Sequence, residues 1–132
     1  MSEKIRLKKF QIGTPRARGE GLRLAVTRRP QRGVPKLDRA RIGCFDVWFP
    51  ALAPSFELLA SFRDRDFETA SIREAFFGRY ERELMKGAEG RQAISLIREI
   101  ATRLPVSIGC FCADESRCHR SRLFRLIMNS TK

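Results

Sequence analysis

A proline set between two kinds of periodicity constrains the last third of this chain. Ala93, Ile94, Ile97, Ile100, Ala101 and Leu104 recur at helical spacing and draw one apolar stripe. Pro105 cannot extend that helix and stops it. Residues 106–112, Val-Ser-Ile-Gly-Cys-Phe-Cys, then read as a buried strand. Residues 118–128 return to helical spacing with Leu123, Phe124, Leu126 and Ile127 on the apolar side. A strand entered from one helix and left into another predicts an α/β fold, with parallel pairing for that strand.

The first third adds strands. Ile5-Arg6-Leu7-Lys8-Lys9-Phe10 alternates apolar and basic residues, and Leu22-Arg23-Leu24-Ala25-Val26 repeats the alternation, predicting two half-exposed strands. Gly13-Thr14-Pro15 and Gly19-Glu20-Gly21 mark the loop between them, which leaves their relative direction open. A second loop, residues 28–36, carries Arg28, Arg29, Arg32 and Lys36 among prolines and glycine, so its charges ride on a turn. Pro54-Ser55 is a helix start, and residues 67–85 place Ile72, Phe76, Phe77, Tyr80 and Leu84 on one helical face. Most of Trp48, Phe49, Leu52, Phe76, Phe77 and Tyr80 are expected in the core, whereas Trp48 in an open groove beside arginines would mark a base-stacking platform.

No internal repeat or long linker divides the chain, so residues 1–132 are expected to form a single domain. A chain of 132 residues, 42% hydrophobic, buries roughly two-thirds of its unfolded surface without help from a metal staple. The net charge of +12 favours anionic partners, either a small phosphate-bearing molecule or nucleic acid; a merely solubilising surface is the alternative. No window approaches the run of about 20 apolar residues that crosses a bilayer. The N-terminus lacks the apolar core of a signal peptide, so a cytoplasmic location and free thiols are expected.

Three of the four cysteines and the only histidine fall within residues 110–119, ahead of a basic run. This is where a parallel sheet builds sites, at the end of a strand running into a helix. On a strand, Cys110 and Cys112 point to one face about 6.6 Å apart. Cys118 would stand in the first helical turn, where the helix dipole and Arg117, His119 and Arg120 lower a thiol pKa. Asp114 and Glu115 oppose that effect. Three thiols and an imidazole also make a zinc ligand set, but adjacent Cys118 and His119 diverge by about 100° on a helix, so no metal is expected. Neither Cys112-x4-Arg117 nor Cys118-x-Arg120 has the cysteine-x5-arginine spacing of tyrosine phosphatases.

The combination resembles a known family. Gly109-Cys110-Phe111-Cys112-Ala113-Asp114 followed by Cys118-His119-Arg120-Ser121 is similar to the C-terminal signature of domain of unknown function number 488, which includes the YeaO-like proteins. Pro30-Gln31-Arg32-Gly33-Val34 resembles that family's arginine-glycine turn, and Asp46-Val47-Trp48-Phe49-Pro50 with Leu52-Ala53-Pro54-Ser55 resembles its central segment. Thr27 and Pro30 stand where YeaO-like members usually carry an aspartate and a tryptophan. The resemblance implies a compact three-layer, Rossmann-like α/β domain with a small, mostly parallel sheet. It implies no activity and names no cofactor.

The residues themselves point to a Cys/His/Arg site at the strand ends. Cys118 is the expected nucleophile or redox group and His119 the acid or base. Arg28, Arg32 and Arg120 are the expected anion ligands, with Cys110 and Cys112 in support. An enzyme acting on a nucleotide or other phosphate-bearing substrate is the first reading, and a non-catalytic nucleic-acid-binding module the second.

Overall fold

The sheet has four short strands: β1 (Leu7–Gln11), β2 (Leu22–Ala25), β3 (Val47–Trp48) and β4 (Val106–Cys110). The computed structural model describes residues 4–29, 45–112, 114 and 117–130. The strands lie in the order β1-β4-β2-β3 and every pairing is parallel, which settles the direction of the first two. β4 is buried along all its length between Leu7–Gln11 on one side and Leu22–Ala25 on the other. Its ladder ends at Cys110, opposite Gln11. The predicted strand over 106–112 is therefore shorter by two residues, because its neighbours run out.

Side chains alternate across a strand, so Leu7, Leu24, Val106 and Ile108 share one face. That face carries α2 (Ala70–Lys86), α3 (Ala88–Arg103) and α4 (His119–Met128), whose Tyr80, Leu84, Ile94, Ile97, Leu123 and Ile127 complete the large core. Phe10 and Ala25 face the other way and join Ile12 and Phe45 in a smaller cluster. Among the described residues this further layer is built by irregular chain rather than by a helix.

Arg23 organises that layer. Its side chain is wholly buried, not half-exposed as the alternation predicts, because β2 lies inside the sheet. The guanidinium donates to Glu20 Oε1 at 2.9 Å, Thr14 O at 2.9 Å and Pro15 O at 3.1 Å, and lies over the Phe10 ring. Gly21 makes the entry to β2 feasible. Its φ is +65°, and a Cβ there would stand 2.1 Å from the Pro105 carbonyl oxygen, which accepts the Leu22 N–H.

Ser55 caps α1 (Phe56–Ser61), accepting the Leu58 N–H, and donates its own N–H and hydroxyl to Glu83 on α2. The predicted helix over 67–85 begins only at Ala70, because the Asp66 carboxylate accepts the Glu68 N–H and the Thr69 hydroxyl and holds a turn ahead of it. No helix of the described residues is long and apolar enough to cross a membrane.

Candidate functional site

Parallel pairing puts the C-terminal ends of β2 and β4 side by side, and the Val26 N–H donates to Gly109 O at 2.9 Å. Beyond those ends lies a cavity of about 290 Å³. Cys110, Cys112, Cys118, His119, Thr27 and Arg28 line it on one side, and Pro54, Leu59, Phe67 and Phe76 make its apolar wall. Arg28, the first residue of the basic loop, thus lies beside the cysteine cluster at one edge, as parallel topology dictates. Arg32 and the rest of residues 30–44, Cys44 included, lie outside the described residues.

Past Cys110 the chain bends so that the Cys112 N–H donates to Cys110 Sγ at 3.4 Å. Cys118 is the N-cap of α4 and brings its sulfur to 2.7 Å from that of Cys110. All three sulfurs lie within 4.8 Å of one another, closer than the two-residue strand spacing predicts. Cys110 and Cys118 are buried, and Cys112 is exposed. The trio divides its protons unequally. Hydrogen bonds from Cys110 and Cys118, then the charge of Arg120, hold the Cys112 thiol far below its usual range against the opposing effect of burial. Cys118 is pushed far up by its thiol neighbours and by burial, and Cys110 is raised chiefly by its hydrogen bond with Cys112. The sulfur these contacts draw towards the anion is that of Cys112, the one open to solvent.

His119 is half-buried, with its ring edge against Tyr80, whose hydroxyl donates to Leu52 O at 2.6 Å. Its Nε2 lies 2.6 Å from Val26 O, so that nitrogen carries the hydrogen and donates to the carbonyl. Nδ1 keeps its lone pair, 3.7 Å from Cys118 Sγ. Burial lowers the imidazole pKa, partly offset by the Val26 hydrogen bond, so the ring is neutral at neutral pH. The three thiols are the groups of this site that could hold a soft metal ion. His119 stands beside them, its Nδ1 3.7 Å from Cys118 Sγ, outside the group of sulfurs that lie within 4.8 Å of one another.

A family model described as the Active DUF488-N3 subclade matches residues 5–131. The chain belongs to the DUF488 family. No curated protein and no solved structure matches it.

In this DUF488 protein the arginines divide by how they are held. Arg28 donates to Pro54 O at 2.9 Å, Pro50 O at 3.0 Å and Ala53 O at 3.1 Å, tying the end of β2 to the start of α1. Arg120 is buried and donates to Cys112 O at 2.6 Å, while its Nε has no hydrogen-bond partner among the described residues. It fixes the Cys112 backbone and puts a positive charge behind the sulfurs. Arg117 pairs with Glu68 and Asp114 at the mouth and is exposed. Sequence reasoning missed Tyr80, which packs His119 in place, and the apolar wall of the cavity. It also favoured Cys118 as the reactive thiol, and in the fold that thiol is buried with its pKa pushed up, while Cys112 is exposed. The exposure of Cys112 depends on where β4 ends.

Proposed function

We propose that this DUF488 protein is a cysteine-dependent enzyme acting on a nucleotide or other phosphate-bearing substrate, with Cys112 as its nucleophile. One observation carries the reading: three sulfurs converge at a cavity and only one of them, that of Cys112, reaches solvent. Cys110 and Cys118 keep their protons and hydrogen-bond the Cys112 sulfur, Arg120 stands behind it, and the thiolate is ready at neutral pH. In the first half-reaction the Cys112 sulfur gives its electron pair to an electrophilic centre, and the leaving group departs with the pair of the bond that breaks. In the second, water displaces the sulfur and the His119 Nδ1 lone pair takes the water's proton, so Cys112 returns as thiolate. Arg28 and Arg120 support the site through backbone carbonyls and charge. The exposed Arg117, with Arg29 beyond Arg28, is placed to meet a phosphate.

Nucleotide protection of Cys112 tests this. Nucleoside monophosphates at millimolar concentration should slow iodoacetamide modification of Cys112 several-fold, read by peptide mass spectrometry, and Arg117→Ala should weaken the protection. Equal rates with and without every nucleotide would remove the phosphate-bearing substrate.

A further inference from the structure

The exposed aromatic rings are not scattered. Among the described residues three aromatic side chains are exposed, Trp48 at 38%, Phe56 at 55% and Phe111 at 45%, and all three stand at the sheet edge that holds the cysteine cavity. Trp48 ends β3 and donates its Nε1–H to Thr27 O at 2.9 Å, on the cavity rim. Phe56 opens α1, with the Arg28 and Arg29 guanidinium carbons 5.4 and 5.2 Å from its ring centroid. Phe111 lies between Cys110 and Cys112. Burying such rings would stabilise the fold, so three of them left in water on one edge mark a surface that takes a partner. Rings interleaved with arginine, on a chain of net charge +12, are the combination that binds an unpaired strand: bases stack on the rings and phosphates run along the cations.

Resting on the nucleotide-directed reading of the Cys112 site, we infer that its substrate is single-stranded nucleic acid, gripped through Trp48, Phe56 and Phe111 while one base enters the cavity. At about 290 Å³ the cavity is at the small end of ligand pockets, room for one ring system rather than a strand. Its wall of Leu59, Phe67 and Phe76 is suited to the faces of a base removed from its stack. Duplex DNA offers no unpaired face to these rings and binds more weakly. A free nucleotide engages the cavity alone.

Trp48 is the only tryptophan of the chain, so its emission reports the contact directly. A mixed-sequence single-stranded oligonucleotide of about 20 nucleotides, titrated at low salt into the full chain, should quench Trp48 saturably. Phe56→Ala and Phe111→Ala should each raise the dissociation constant about tenfold, with unchanged far-ultraviolet circular dichroism. The same sequence as a duplex should compete at least tenfold less well, and the oligonucleotide should protect Cys112 from iodoacetamide better than a mononucleotide does. Emission unchanged up to about 100 μM oligonucleotide, or binding indifferent to both phenylalanine variants, would overturn the inference. If mononucleotides protect Cys112 while the strand leaves Trp48 unquenched, the strand falls and the enzyme reading stands. If the strand quenches Trp48 while Cys112 is inert to iodoacetamide, the nucleophile falls and the strand site stands.

Discussion

Arg23 and His119 show how a single residue's environment reverses what its type predicts. Arg23 is a charged residue with no exposed surface, stabilised because Glu20, two carbonyls and the Phe10 ring all meet its guanidinium. Replacing it strands the Glu20 carboxylate in the interior. Arg23→Met should therefore destabilise the fold by about 3–5 kcal/mol in urea unfolding, and adding Glu20→Gln should recover part of the loss. Nothing in Leu22-Arg23-Leu24 distinguishes this from an exposed arginine on an edge strand, since burial was decided by the place of β2 in the sheet. His119 titrates in the opposite sense from a surface histidine. Its pKa in the fold is lowered by burial, so the unfolded chain takes up a proton first as pH falls below about 6.5. Its contribution is present above that value and is lost on the way down towards the folded pKa. The urea midpoint of the wild type should fall more steeply from pH 7 to pH 5 than that of His119→Phe; parallel slopes would deny a half-buried, neutral imidazole.

At the scale of elements, local signals were legible where they were chemical and not where they depended on neighbours. Pro105 ends α3 next to Leu104, and Ser55 caps α1, both as their residue types require. The parallel pairing of β4 follows from its helical flanks. The lengths of β4 and α2 did not, because the first is set by where β1 and β2 end and the second by the Asp66 turn. Two residues at the end of β4 had a large consequence. With Cys112 off the strand, its sulfur swings in to join those of Cys110 and Cys118, and the exposed thiol becomes Cys112 rather than Cys118.

Across the whole molecule, topology does most of the work of building the site. β1, β4, β2 and β3 all end at one edge, and that edge collects the thiols, His119, Arg28 at the start of the basic loop and the three exposed aromatic rings. The family signature in the sequence located this edge, while the apolar wall came from Pro54, Leu59, Phe67 and Phe76, which are remote from it in sequence and carry no motif. The central claim is that the fold makes Cys112 an anion and keeps Cys110 and Cys118 protonated. Rate-resolved iodoacetamide labelling of the native protein between pH 6 and pH 8, read peptide by peptide, tests it most directly. An ordinary thiol with a pKa of about 8.5 slows by roughly two orders of magnitude over that range. Cys112 should slow less than about threefold and react first, with Cys110 and Cys118 labelled only after denaturation. Labelling of Cys118 ahead of Cys112, a Cys112 rate that falls with pH like that of the denatured chain, or a thiol trio that reacts only after zinc is chelated away would contradict it.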